Sequence, residues 1–258
     1  MGTILDNYYT NTYGEDDRLF KDNKHKTEFI LTVDYIDKYL KKGMKILELG
    51  AGTGAYSLYY AKKGYEVDAL EPVEVNLNTL KSKVEKDMRI NPVLGNALDL
   101  SMYEDNTFDM VLCLGPMYHL EGRDRNRCLE EAIRVTKKGG LIYLAYISNN
   151  FTFVRCISKF DNYVVEYKEE IKEGFRLEDS QKVFTFMYPQ QMEDMVNSYG
   201  LEKVNHLTTD GISSLIRDRI NSLPEKEFEV WLDYLRETAQ REDQLGYGEH
   251  LLYIARKN

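Results

Sequence analysis

Cysteine and histidine are scarce in these 258 residues, three of the first and four of the second. Cys113, Cys128 and Cys156 stand far apart and form no Cys-x-x-Cys pair, so no zinc site is expected, no metal is assigned, and the thiols read as reduced and packed. Long apolar runs are also missing: none approaches the roughly 20 residues that cross a bilayer, and the amino terminus has no apolar signal core. A cytoplasmic protein without membrane contact is the expectation. Dense Lys/Arg clusters are absent too, and the pairs Lys41-Lys42, Lys62-Lys63 and Lys137-Lys138 fall at expected helix ends, where they complement the helix dipole. With a formal net charge of -9 the chain repels a phosphate backbone, so nucleic acid is not expected as a partner. Internal repeats and low-complexity segments are lacking, and the length suits one α/β domain with insertions.

What is present is concentrated between Lys45 and Leu58. Ile46, Leu47 and Leu49 form an apolar run too short for a helix; Gly50, Gly52 and Gly54 break it, and Ala55 to Lys63 is helix-compatible. The pattern reads as buried strand, tight turn and helix start. Gly50 and Gly52 let the chain bend sharply and let a ligand come close, while the free N–H groups of the new helix favour polar or anionic ligand atoms. That is nucleotide-binding geometry. Ala55 stands where the dinucleotide fingerprint has its third glycine, so a nicotinamide site would need the alanine variant. Glu48 lies in the strand two residues before Gly50. Glu71 closes the next strand-like run (Tyr65, Val67, Ala69, Leu70) about 20 residues after Gly50, where a carboxylate can accept both ribose hydroxyls.

The remaining chain alternates in the same way. Residues 1 to about 24 carry Tyr8, Tyr9, Tyr13 and the run Glu15 to Phe20, too aromatic for an ordinary disordered tail, and are expected to fold over something. Phe29, Ile30, Val33, Ile36, Tyr39 and Leu40 predict a helix over Thr27–Leu40, stopped by Gly43. After Glu71 a helix is expected with Val75, Leu77, Leu80 and Val84 on one face, then strands at Pro92–Leu94 and Met110–Leu114. A helix over Asp124–Thr136, ended by Gly139-Gly140, leads to Leu141–Ile147, apolar enough to be buried on both faces. Pro189 opens a helix with Met192, Met195, Val196 and Tyr199 inward and Gly200 at its end. Lys182–Phe186, Leu201–Leu207 and Gly248–Arg256 are further strand candidates. The alternation predicts a doubly wound, mostly parallel α/β sheet of seven strands with helices on both faces, its ligand beyond the strands' carboxyl ends. Two stretches exceed that plan: 148–185, with the acidic residues Glu166, Glu169, Glu170, Glu173, Glu178 and Asp179, and 211–245. In the second, Ser222-Leu223-Pro224-Glu225 fits a capping box and Phe228, Trp231, Leu232 and Leu235 form an apolar stripe.

Taken in order, these stretches resemble the class I S-adenosylmethionine-dependent methyltransferases. Ile46 to Gly54 is similar to that family's first motif and Val67 to Pro72 to its second. Gly95-Asn96-Ala97 stands where Gly-Asp-Ala is usual, Phe108 to Leu114 resembles the fourth strand, Lys138-Gly139-Gly140 the turn into the fifth, and Pro189 to Leu201 the late helix. The resemblance covers about 45 to 256. It implies a Rossmann-like domain that uses S-adenosylmethionine, leaves S-adenosylhomocysteine, and methylates a small molecule by in-line displacement. Gly50, Ala51, Gly52 and Gly54 would hold the cofactor's amino-acid end with Glu48 tied to it, Glu71 and Pro72 the ribose, Asn96, Ala97 and Leu98 the adenine, with Leu114 beside them.

Asn96 departs from the usual Asp: its amide both accepts and donates, and an Asx turn is its other use. The loop Gly115 to Leu120 would lie over the reacting methyl group, with His119 able to take a proton from the acceptor and Tyr118 to align it. A packed or capping histidine is the alternative. The loop lacks the Asn/Asp-Pro-Pro-Tyr tetrapeptide, which disfavours methylation of amides or nucleobases. Within one domain the resemblance implies an N-terminal lid and helix at 1–43, a cofactor core at 44–147, and caps at 148–185 and 211–245 near the substrate mouth. Tyr8, Tyr9, Tyr13 and Trp231 would face that mouth; the alternatives are tyrosines packed outside the sheet and a Trp231 helix on the sheet edge. A nucleotide-binding protein of this fold without turnover, or a nicotinamide-dependent oxidoreductase, stays open, as does the oligomeric state.

Overall fold

The apolar runs of the sequence become neighbouring strands in a computed structural model that describes residues 4–166, 168–172, 175–179 and 181–258. Glu173 of the acidic stretch lies outside the described residues. The strands are β1 (Lys45–Leu49), β2 (Glu66–Glu71), β3 (Ile90–Leu94), β4 (Phe108–Cys113), β5 (Thr136–Ser148), β6 (Ile171–Lys172), β7 (Arg176–Leu177), β8 (Phe186–Met187), β9 (Glu202–Thr208) and β10 (His250–Arg256). One sheet runs β3-β2-β1-β4-β5-β10-β9, with the short β8 added beside β5, and β6 and β7 pair separately. β1 to β5 are mutually parallel, and β10 is antiparallel to both its neighbours. This is the expected Rossmann-like sheet. Strand order reverses between β1 and β4, which opens a crevice above their carboxyl ends.

The helices are α1 (Ile4–Asn11), α2 (Asn23–Asp37), α3 (Ala55–Lys62), α4 (Glu74–Ser82), α5 (Gly122–Val135), α6 (Asn149–Lys159), α7 (Tyr163–Glu166), α8 (Pro189–Ser198), α9 (Arg217–Ser222), α10 (Glu225–Thr238) and α11 (Glu242–Leu245). Because side chains alternate along a strand, Ile46, Met110, Tyr143 and Ile254 pack with α2, α3 and α10. Leu47, Val111, Ile142 and Tyr253 pack with α5, α8 and α11 on the other face. The core is thus two apolar layers separated by the sheet. Ile36 of α2 is fully buried in the first, and truncating it to Ala would cost about 2–5 kcal/mol.

Four local expectations change. α2 begins at Asn23 rather than Thr27 because the Asp22 carboxylate accepts the His25 N–H at 3.0 Å and caps the helix earlier. In α4 the inner face is Asn76, Leu77 and Leu80, while Val75 is 42% exposed. β5 starts at Thr136, before the glycine pair. A Cβ on Gly140 would stand 2.9 Å from the Asp109 carbonyl oxygen, so the second glycine lets β5 pass close to β4. Ser222 makes no capping box: it is the last residue of α9 and its hydroxyl donates to Arg219 O at 2.9 Å, leaving Pro224 at the N-cap position of α10 without a side-chain hydrogen bond.

The two long stretches separate. The end of the first stretch reaches the crevice, where Thr185 N–H donates to Tyr118 O at 2.8 Å and Phe184 packs on Tyr118 and His119. Segment 211–245 does not form the expected roof. Phe228, Leu232 and Leu235 of α10 are buried against α2 and the sheet, the surface large and apolar enough to cover that stripe.

Candidate functional site

The turn after β1 is made of residues that few side chains would allow. Gly50, Gly52 and Gly54 have φ of 72°, 55° and 91°, in the left-handed region that favours glycine. The N–H groups of Gly50 and Ala51 both donate to Leu70 O, at 2.8 and 3.0 Å, which ties the turn to the end of β2. A Cβ on Gly50 would lie 3.1 Å from Pro116, so this glycine also lets the loop after β4 come close. Gly54 serves packing instead: a Cβ there would stand 2.8 Å from Leu80 of α4, and Gly54 does not line the crevice.

Above the turn lies a cavity of about 710 Å³. It brings together Glu48, Gly50, Ala51, Gly52, Glu71, Pro72, Asn96, Ala97 and Leu114 from the strand ends with Tyr9, Tyr118 and His119. Leu98, Tyr8, Tyr13 and Trp231 are not among its walls. Tyr8 and Tyr13 stack on each other behind Tyr9, with ring centroids 5.7 Å apart, and Tyr8 meets Phe184 edge-on. Trp231 donates its indole N–H to Ser213 Oγ at 3.1 Å, and the segment that carries it packs on α2, away from the cavity. Of the lid tyrosines, Tyr9 alone reaches the cavity.

Glu71 is buried at the tip of β2. Its Oε2 accepts the Gly52 N–H at 2.8 Å, and its Oε1 accepts the Val73 N–H at 3.0 Å and the Asn76 amide at 3.3 Å. Burial raises its pKa, and these three donors oppose the rise. Glu48 is also buried and accepts the Ser57 hydroxyl; burial lifts its pKa to about 8 against that bond, with the charge of Glu71 adding to the rise. Asn96 adopts the Asx turn, its Oδ1 accepting the Leu98 N–H at 3.0 Å, and its NH2 group donates to no group among the described residues. Leu98 therefore serves that turn.

The loop after β4 sets the chemistry of the opposite wall. His119 Nδ1–H donates to Val183 O at 2.8 Å, which fixes the tautomer and leaves Nε2 as acceptor; the Tyr9 hydroxyl donates to it at 3.0 Å. Burial, with the Arg18 cation adding to it, lowers the His119 pKa to about 4, so the ring is neutral at pH 7. Burial raises the pKa of Tyr9 and of Tyr118, keeping both phenols protonated.

Sequence reasoning named no wall residue between Tyr13 and Glu48, yet Glu15, Asp16, Arg18 and Phe20 line the cavity. Arg18 Nε donates to Glu15 Oε1 at 2.9 Å, and its two terminal nitrogens donate to Glu28 at 2.8 and 3.1 Å. Burial alone would raise the Glu28 pKa, but Arg18 and His250 hold it at about 2. Behind this pair, Asp210, Glu249 and His250 bring ligand-type atoms within 4.8 Å of one another. Lys24, Arg155 and Ser214 already bind Glu249, and Asp210 accepts the N–H groups of Glu249 and His250 and the His250 ring, so the trio is an internal ion network. The signal for this strap, Glu15–Phe20, was its mixture of Glu15, Arg18 and Phe20, but which of them faces inward depends on Glu28, ten residues beyond Arg18.

Comparison with known proteins agrees with this geometry. A family model described as methyltransferase domain matches residues 46–140. A demethylmenaquinone methyltransferase of Paenarthrobacter aurescens is 36% identical over 120 residues, 46% of this chain and 44% of that protein. A 23S rRNA (uracil(747)-C(5))-methyltransferase of Pyrococcus abyssi is 27% identical over 180 residues, 67% of this chain and 39% of the other. The chain thus spans less than half the length of these relatives. Among solved structures, phosphoethanolamine N-methyltransferase 2 of Haemonchus contortus in complex with S-adenosylmethionine shares the fold. It is 16% identical with a TM-score of 0.64, and the match covers all of this chain and 60% of that one. One of these relatives is named for ribosomal RNA, so the expected exclusion of nucleic acid is not supported by the comparisons. No helix among the described residues is long and apolar enough to cross a membrane. The glycine turn tied to β2, the carboxylate at its tip and the reversal of strand order above β1 and β4 all fall within residues 46–140, the stretch that matches the methyltransferase domain model, and over that stretch the chain is similar to the S-adenosylmethionine-dependent methyltransferases.

Proposed function

We propose that this chain transfers the methyl group of S-adenosylmethionine to a small-molecule acceptor held between the glycine turn and the Tyr118-His119 loop. The observation that carries the reading is the cavity: about 710 Å³, within the range of roughly 300–1,000 Å³ usual for small-ligand sites, and flanked by Tyr9 and Phe20 of the N-terminal segment. Its walls suit the cofactor. Glu71 uses three of the roughly four acceptor positions of an ionised carboxylate, and the Asn76 bond at 3.3 Å is the weakest, so ribose hydroxyls have a place to donate. Leu94, an exposed apolar side chain in the wall beside Asn96 and Ala97, offers a face for the adenine ring. Glu48 and the turn Gly50 to Gly52 receive the amino-acid end.

When bound, S-adenosylmethionine supplies an electrophilic methyl group on a sulfonium, and transfer is a displacement that gains most from alignment and exclusion of water. The Tyr118 ring aligns the acceptor. His119, neutral and with its Nδ1–H spent on Val183, presents Nε2 as proton acceptor, reached directly or through the Tyr9 hydroxyl. The same-domain division is a core at 44–147, the N-terminal segment as lid, and 148–185 as the cap that supplies Val183 and Phe184. A net charge of -9 and the carboxyl groups of the cavity favour a neutral or cationic acceptor over a polyanion. Incubation with methyl-labelled S-adenosylmethionine, a panel of small amines, phenols and thiols, and purified RNA tests this. Label is expected in small molecules; label in RNA alone, or cofactor binding with no transfer to any acceptor, counts against it.

A further inference from the structure

We propose that Glu15, held by Arg18, is a cofactor-binding residue that accepts the α-ammonium of the cofactor's amino-acid end, so that the strap Glu15–Phe20 completes the site. The inference rests on the reading of the cavity as the S-adenosylmethionine site. Glu15 lines the cavity directly over the glycine turn: a Cβ on Gly52 would lie 3.4 Å from Glu15 Cγ. Its carboxylate also sits close enough to Glu71 to raise the pKa of that group.

Three contacts keep it there. Arg18 Nε donates to Oε1 at 2.9 Å, Arg18 is clamped by both oxygens of Glu28 on α2, and the neighbouring Asp16 pairs with Lys83 beyond α4. Leu19 is buried in the core with α2 and anchors the far end of the strap. Glu28 engages Arg18 through two parallel hydrogen bonds and Glu15 through one, so Glu15 carries the weaker share of that pairing. Glu15 Oε2 accepts no hydrogen bond among the described residues. An amino-acid end carries an ammonium and a carboxylate; the strap offers a carboxylate and a guanidinium 2.9 Å apart, in matching order of charge. Among the described residues two of the five Arg18 N–H donors meet no acceptor and can take the second group.

Calorimetry on the full chain with two probes separates this role from a structural one: S-adenosylhomocysteine, and 5′-methylthioadenosine, which has the nucleoside but no amino-acid end. Glu15→Gln keeps the size and the bond to Arg18 but removes the charge. The expected result is S-adenosylhomocysteine binding weakened roughly ten- to a hundredfold, with methylthioadenosine binding changed less than about twofold. Equal weakening of both probes would show loss of the strap rather than of a ligand contact and overturn the assignment. So would unchanged binding of S-adenosylhomocysteine. Failure of the wild-type chain to bind either probe would remove the underlying reading of the cavity, and the role of Glu15 with it.

Discussion

Glu71→Ala tests the site and the fold together. The side chain ends three hydrogen bonds inside the wall of the cavity, from the Gly52 and Val73 N–H groups at 2.8 and 3.0 Å and the Asn76 amide at 3.3 Å. Leaving a buried donor unmet costs about 1–3 kcal/mol. Water entering the open cavity can satisfy part of this, so the lower end applies to each, and the sum is about 2–4 kcal/mol. For a chain of this length each kcal/mol moves the melting temperature by about 2–4 °C, which gives a fall of roughly 4–16 °C. Because Gly52 belongs to the glycine turn, its release also loosens the turn, and S-adenosylhomocysteine affinity should fall further than one lost ribose contact explains. Differential scanning calorimetry and titration on the same preparations read both numbers. A variant that melts within about a degree of the wild type would refute the claim that Glu71 braces the turn. Normal stability with lost affinity would leave it a ligand contact alone.

The neutral state of His119 predicts an Nδ1–H tautomer from pH 5.5 to 8 in a histidine-selective nitrogen NMR spectrum, since burial and Arg18 hold its pKa near 4; a ring that titrates above pH 6 would contradict this. Glu48 carries a raised pKa, from 4.5 to about 8, so the folded chain keeps a proton that the unfolded chain has released across that window. Its contribution to stability is greatest below the unfolded value and falls as pH rises through 8. Denaturant melts at pH 6 and 8.5 should therefore show a larger loss in the wild type than in Glu48→Gln, and parallel losses would dismiss the shift. Trp231, the single tryptophan, lies outside the cavity walls, so its fluorescence should not respond to saturating S-adenosylhomocysteine; a saturable quench would place it at the site.

The line between what was legible and what was not follows the range of the interactions. Gly50 and Gly52, Glu71 at a strand end and the alternation of apolar runs are local patterns, and the sheet, its reversal above β1 and β4, and most of the cavity wall at the strand ends followed from them. Gly54 was legible as part of a motif but not in its use, because Leu80, 26 positions away, decides that it packs helices together. The stripe on α10 showed that the helix must bury a face, yet the choice between a roof and the sheet was settled by the larger apolar surface of α2 and β-strand side chains, which no window of sequence displays. The Tyr9–His119 bond spans 110 positions and the Lys24–Glu249 pair 225. By itself, then, the chain determined the strand-turn-helix unit and its repetition, since backbone sterics and hydrophobic period act over a few residues. Only the tertiary structure decided which charged and aromatic side chains of the amino-terminal strap enter the cavity, because burial and charge pairing are set by whatever distant group the closed fold brings alongside.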